Sequence, residues 1–221
     1  MRQILKTRKD ESIFVSHKIT NKSLEILRRL EGSLSLDAGC GKGFYLPFFK
    51  STVIALDLSN DELKKARKRN PCKTQFVVGD IRYLPFKDKT FSYLQSLDTI
   101  EHLNLHEAEG ALKEFERVTS GNIQIGTPNV SGLLELFRSL LFPGWLFDKN
   151  PMSKMPSESP HRHRSLWTNR ELEKYGFKVH GCLGWVTAER IGNRLVTKCY
   201  DILAWNIPVL AGSLIGLKEV E

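Results

Sequence analysis

The sequence predicts one open α/β sheet of about seven strands with helices on both faces, and three observations predict it. Short β-branched, apolar runs alternate with amphipathic or capped stretches along most of the 221 residues. The first two of these runs, closing at Asp37 and Asp57, each end in an acidic residue. Directly after the first comes a turn with glycines at alternate positions, Gly39, Gly41 and Gly43. Glycine tolerates positive φ, and a strand passing through such a turn into a helix offers backbone N–H groups at the carboxyl edge of a parallel sheet.

Taken in order, residues 1–16 are basic and weakly patterned, a loose arm. Ile19 to Leu30 reads as an amphipathic helix with Leu24, Leu27 and Leu30 on one side, stopped by Gly32. Ser33 to Asp37 is the first strand, and a helix starts after Gly43, broken early by Pro47. Thr52 to Asp57 has the continuous apolar character of a strand buried on both faces. Ser59 and Glu62 form a capping box for a helix that carries the basic run Lys64 to Arg69 and ends at Asn70-Pro71. That run reads either as cations stabilised by the helix dipole or as a nucleic-acid patch.

Strand three is Thr74 to Val78, followed by Gly79-Asp80, and strand four is Thr90 to Ser96. Asn104 and Glu107 cap a helix whose stripe is Leu105, Ala108, Leu112 and Phe115; Ile123 to Thr127 is strand five. Residues 130–167 break the rhythm with an apolar helix candidate, several prolines and the cluster His161-Arg162-His163-Arg164, and are read as an inserted cap. The pattern resumes at a Thr168–Glu171 capping box, a short helix, and strand six over Phe177 to Cys182. A helix from about Ala188 to Trp205 then leads to a last strand near Ser213 to Glu219. No internal repeat is present, so the chain reads as a single domain over residues 1–221.

Hydrophobic residues at 41% and charged residues at 26% match an ordinary soluble protein. Cys40, Cys72, Cys182 and Cys199 show no Cys-x-x-Cys spacing and read as reduced thiols of a cytoplasmic protein; the amino end lacks the apolar core of a signal peptide. Val130 to Phe147 is interrupted by Glu135, Arg138 and Pro143, and the uncharged run Ile202 to Leu217 is 16 residues long. Spanning a bilayer takes about 20 apolar residues, so neither is expected to cross one. The formal charge of +8 suits an acidic partner, nucleic acid or a membrane surface, and equally a solvated basic surface.

Spacing narrows the ligand of the glycine turn. A P-loop needs Ser or Thr after its lysine, and Lys42 is followed by Gly43. A dinucleotide fingerprint needs a glycine three residues after Gly41, where Phe44 stands. What remains is Asp-x-Gly-x-Gly-x-Gly from Asp37 to Gly43. With residues 55–59 (Ala-Leu-Asp-Leu-Ser), 79–91 (Gly-Asp-Ile-Arg-Tyr-Leu-Pro-Phe-Lys-Asp-Lys-Thr-Phe) and 98–103 (Asp-Thr-Ile-Glu-His-Leu), it resembles the class I methyltransferases that use S-adenosylmethionine (SAM), and the type 11 subfamily in particular. The likeness covers residues 30–130 well and extends loosely to 161–177; Ser92 departs from the usual aspartate.

The resemblance implies a Rossmann-like doubly wound sheet with its last strand antiparallel, and SAM as cofactor, leaving as S-adenosylhomocysteine. Gly39, Cys40, Gly41 and Gly43 would lie against the methionine portion, with Asp37 close to its ammonium and sulfonium. Asp57, 20 residues after Asp37, would accept the ribose hydroxyls. Asp80 would accept from the adenine amino group, Leu58 and Ile81 would sandwich the ring, and Leu97 to Ile100 would line the methyl donor. His102, His161 and His163 are candidate general bases; the latter two, with Arg162 and Arg164, could instead hold an anionic substrate. No metal is expected, although Asp98, Glu101 and His102 are similar to a Glu-x-x-Glu-His triplet that holds a divalent ion in some quinone-biosynthesis O-methyltransferases. The leading reading is methyl transfer to a small or lipid-like acceptor roofed by 130–167. RNA methylation and a non-catalytic SAM-binding protein are the alternatives.

Overall fold

In the computed structural model the described residues are 30, 32–70, 74–129, 156, 159, 162–182, 202–208, 211 and 213–220. They form seven strands: β1 (Leu34–Ala38), β2 (Thr52–Asp57), β3 (Thr74–Val78), β4 (Phe91–Leu97), β5 (Thr119–Pro128), β6 (Lys178–Cys182) and β7 (Ser213–Glu219). The sheet order is β3-β2-β1-β4-β5-β7-β6. The first five strands pair in parallel, and β7 runs antiparallel to both β5 and β6. The chain steps outward from β1 to β3, then returns to place β4 on the other flank of β1. The crevice at the carboxyl ends of β1 and β4 is therefore the topological switch point, where open α/β sheets bind ligands.

Side chains alternate across a strand with period two, and the core divides accordingly. Leu36, Ala38, Leu56, Leu94, Ile123 and Ile125 join one cluster with Ala108, Ala111, Leu112 and Phe115 of α2 (Leu105–Val118) and with Leu172 of α3 (Asn169–Lys174). Val53, Ala55 and Tyr93 join the second, with Leu63 of α1 (Asn60–Arg69) and with Leu46 and Phe49. Apolar layers thus cover both faces of the central strands, which is why their sequences read as continuous apolar runs.

Three expectations need correction. No helix follows Gly43: Pro47 opens a single 3-10 turn, Leu46–Phe48, and Phe49 is already extended on the way to β2. Leu105 is 48% exposed, because it is the first residue of α2 and precedes the turn that meets the sheet. The Ser59–Glu62 box is half made: Ser59 Oγ accepts from the Glu62 N–H, whereas the Ser59 N–H donates to Asp57 and Glu62 pairs with Lys65. The boxes at Asn104–Glu107 and Thr168–Glu171 are complete in both directions.

The basic run on α1 is exposed, and much of it is engaged locally. Lys64 pairs with Asp61 at 2.8 Å, Lys65 pairs with Glu62 at 2.6 Å, and Arg67 and Arg69 lie over the rings of Phe76 and Phe44. Among the described residues no helix is long and apolar enough to cross a membrane. The expected arm and helix at 1–29, residues 130–155 of the inserted cap, and residues 188–201 lie outside the described residues.

The chain before residue 130 and the chain at residue 167 meet. Asn129, just after β5, forms a parallel bridge with Trp167, which is 1% exposed, joins the larger core cluster and donates its indole N–H to Ser165 Oγ at 3.0 Å. Trp167→Ala should destabilise the protein by about 3–5 kcal/mol, and Trp167→Phe should cost clearly less, both read from urea unfolding midpoints.

Candidate functional site

The glycine turn after β1 is fastened to the end of β2. Gly39, Gly41 and Gly43 have φ of +79°, +50° and +69°. The N–H groups of Gly39 and Cys40 both donate to the Leu56 carbonyl, at 2.8 and 3.0 Å. The Gly41 N–H donates to Asp57 Oδ2 at 2.8 Å, and the Ser59 N–H donates to Asp57 Oδ1 at 2.8 Å. A Cβ added at Gly39 would run into the Thr99 side chain, whereas one at Gly41 would meet no described residue within 4 Å. Among the described residues the turn is thus closed by the loop after β4 on one side and open at Gly41. Cys40 is buried, and burial pushes its thiol well above the usual range, so it behaves as an apolar filler rather than a nucleophile.

Beside the turn lies a buried polar rung. Asp37 on β1 is in register with Gln95 on β4, and Gln95 with Gln124 on β5. Gln95 Nε2 donates to Asp37 Oδ1 at 3.1 Å, and the Tyr93 hydroxyl donates to Gln124 Oε1 at 3.0 Å. Asp37 Oδ2 has no hydrogen-bond partner among the described residues. Burial pushes the Asp37 carboxyl up to about 7 against the pull of the Gln95 amide, and the Asp57 charge adds to the rise. A half-satisfied buried carboxylate at a sheet's switch point is suited to a cation from outside the protein.

Two loops flank the rung. Leu58, after β2, is 69% exposed and offers an apolar platform, while Ile81 is buried in the larger core cluster. Asp80, after β3, accepts from the Arg82 backbone N–H at 2.9 Å and from the Arg82 guanidinium, which holds its carboxyl below the usual range. Arg82 also pairs with Glu107, so Asp80 is tied through it to the start of α2. Leu97, closing β4, is buried.

The loop after β4 forms the far wall. Asp98 is exposed, with φ of +53° and its N–H donating to the Gly126 carbonyl. Thr99 Oγ1 donates to the carbonyls of Leu97 and Gly39, at 3.1 and 3.3 Å. A 3-10 turn, Ile100–His102, follows. Its Glu101 is 2% exposed with neither carboxylate oxygen partnered among the described residues, and its backbone carbonyl accepts from the N–H groups of Arg164 and Ser165. Those bonds bring His163 to His102, with ring centroids 5.0 Å apart. His102 Nδ1 lies 3.2 Å from the Arg162 carbonyl, which can only accept. His161 lies outside the described residues.

Sequence reasoning missed Gln95, Tyr45 and Arg82, while Thr99 falls within the Leu97 to Ile100 stretch it singled out. Gln95 carried a usable signal, being an amide in the middle of an otherwise apolar run and hence in need of a buried partner. Thr99 and Arg82 matter through the turns that aim them, which composition does not encode. The Tyr45 phenol is pushed up by burial and, less, by Cys182, Asp37 and Glu101, so it senses the carboxylates of both walls.

Residues 36–122 match a family described as a methyltransferase domain. The malonyl-[acyl-carrier protein] O-methyltransferase of Hamiltonella defensa is 33% identical over 118 residues, which are 51% of this chain and 45% of that protein. The chain thus spans about half the length of the curated relatives it matches. Among solved structures, the PH0226 protein of Pyrococcus horikoshii superimposes with a TM-score of 0.60 at 20% identity, covering 98% of this chain and 93% of that one. The magnesium protoporphyrin IX methyltransferase of Synechocystis, solved with S-adenosylhomocysteine bound, gives 0.59 at 16% identity over 91% and 81%. At these identities the structural matches establish the fold.

The Asp37 shift fixes a sign for stability. Unfolded, the group ionises near 3.8, and folded only near 7. Between those values the native state holds a proton that the unfolded chain has lost, so the stability present at low pH is lost as pH rises through 7. Asp37→Asn should therefore match the wild type near pH 4 and exceed it at pH 8 by up to a few kcal/mol, at about 1.4 kcal/mol per pKa unit. Urea titrations at the two pH values measure this, and equal differences at both would refute it.

Proposed function

We propose that this chain is a class I methyltransferase that uses SAM, as the match of residues 36–122 supports, and that it transfers the methyl group of SAM to an oxygen of a small or lipid-like acceptor. The observation that carries the reading is the buried, half-partnered Asp37 carboxylate beside the open face of Gly41. A cationic ligand is what that pair accommodates. Asp37 Oδ2 would take the ammonium of the methionine portion, and Gly41 lets that portion approach the backbone. Asp57 spends one lone pair of each oxygen on the Gly41 and Ser59 N–H groups, leaving the others for the ribose hydroxyls. Exposed Leu58 would cover one face of the adenine. Asp80 would serve its amino group only alongside Arg82, which already occupies much of the carboxylate.

Bound SAM supplies a methyl group on a sulfonium, a leaving group that needs no further activation. The chain's part is then to orient the acceptor oxygen in line with the carbon–sulfur bond and to take its proton. His102 and His163, whose ring centroids lie 5.0 Å apart, would be the groups able to receive it. The O-methylation of a malonyl-carrier protein named for the curated relative supports oxygen as the atom modified and an acyl or other lipid-like acceptor.

Calorimetry with SAM and with S-adenosylhomocysteine is the first test, and binding of neither would sink the proposal. Where they bind, methyl-labelled SAM incubated with fractionated extract should label a small, organic-extractable product. Label appearing only in RNA would instead identify a nucleic-acid methyltransferase, and an absence of labelled product would leave a binding protein. Asp57→Ala should weaken SAM binding by about 1–3 kcal/mol, with unchanged affinity showing that the ribose is held elsewhere.

A further inference from the structure

We propose that Glu101, His102 and His163 form a binding site for one divalent transition-metal ion on the acceptor wall. One ligand atom from each of the three lies within 4.8 Å of the other two. Glu101 is 2% exposed, and neither of its carboxylate oxygens has a hydrogen-bond partner among the described residues. A carboxylate buried without donors is costly unless a cation neutralises it. Among the described residues, two imidazoles stand next to this one.

The local structure prepares the imidazoles for ligation. The Arg162 carbonyl requires that Nδ1 of His102 carry the proton, which leaves the lone pair on Nε2. A carbonyl fixing the tautomer through the non-ligating nitrogen is the usual outer-shell device of metal-bound histidine. His163 arrives from a separate segment, held where Arg164 and Ser165 donate to the Glu101 carbonyl at 2.7 and 3.1 Å. Ligands of one ion bound at about 2.0–2.2 Å stand roughly 3–4 Å apart, so closure needs a contraction of about an ångström. Asp98, which the sequence grouped with Glu101 and His102, is exposed and is not part of the cluster.

Two imidazoles and one carboxylate favour Zn²⁺, Co²⁺ or Fe²⁺ over Mg²⁺ or Ca²⁺, whose shells are built from oxygen. Three protein ligands also leave a position open. On the methyl-transfer reading, with which this use of the ion stands or falls, that position would take the acceptor oxygen and make its proton easier to lose to solvent, with His102 and His163 then acting as ligands rather than as the proton acceptors. The binding itself does not depend on that reading.

The full chain, freed of metal by chelation and dialysis, is titrated with Co²⁺ and followed by its visible ligand-field absorption and by calorimetry. Saturation at one ion per chain, displaced by Zn²⁺, is expected. Glu101→Gln and His163→Ala should each weaken Co²⁺ binding by at least about tenfold, while His106→Ala, on the exposed surface of α2, leaves it unchanged. His163 lies in a loop, so its variant tests the site even where Glu101→Gln perturbs folding. No saturable Co²⁺ binding, or binding that His163→Ala leaves intact, overturns the site. Calorimetry with SAM on the same samples separates the two readings: SAM binding without Co²⁺ removes the metal site alone, and Co²⁺ binding without SAM removes the methyl-transfer reading alone.

Discussion

Everything in the site is referred to the end of β2. One carbonyl, that of Leu56, holds two consecutive N–H groups of the glycine turn, and one carboxylate, that of Asp57, holds a third. Backbone groups left without helix or strand partners must find others, and here the neighbouring strand provides them. The turn is therefore fixed by the register of β1 on β2, in which Asp37 lies beside Ala55 and Ala38 beside Leu56. A slip of one residue would invert every side chain and part Asp57 from Gly41. The apolar layers on both faces of these strands exclude that slip, so the geometry of a polar site is set by the packing of residues that take no part in it.

The polar groups of the two walls share one trait. Asp37 and Glu101 are both buried, and each has carboxylate oxygen left unmatched among the described residues. Native proteins satisfy nearly all such groups, and both carboxylates contribute, after burial, to the raised Tyr45 phenol. Asp37 faces the turn that admits a ligand, and Glu101 faces two histidines. On α1 the lysines and arginines are engaged with acids and rings of their own surroundings.

The strands were legible in the sequence because burial on both faces leaves a continuous apolar run that little else produces. Thr52–Asp57 begins and ends where that pattern does, and the bounds of Thr74–Val78 and Ser213–Glu219 agree as well, although Thr74–Val78 is an edge strand with no buried residue. The carboxylates at strand ends were legible for the same reason, since an acid closing an apolar run stands out. The failures came where a contact distant in sequence decides the conformation. The 3-10 turn at Leu46–Phe48 follows from the short span between a pinned glycine turn and β2. Gln95 is 58 residues from the Asp37 it serves, and His163 reaches His102 only because the main chain of residues 164 and 165 docks on Glu101. Residue spacing carries none of these pairings.

The sheet order has a consequence for how the molecule is made. β7, the last of the seven described strands, lies between β5 and β6, and among the described residues β6 pairs with no other strand. During synthesis β6 and the exposed edge of β5 must wait, unpaired, until residues 213–219 emerge. Open strand edges are the places where nascent chains pair wrongly. The parallel half, from β1 to β5, can assemble first from connections of modest length, while closing the antiparallel half joins β5 to a strand about ninety residues further along, a slow step by its sequence separation. The half that builds early carries the glycine turn, Asp37 and Asp57. The half that builds late is the part most exposed to misassembly.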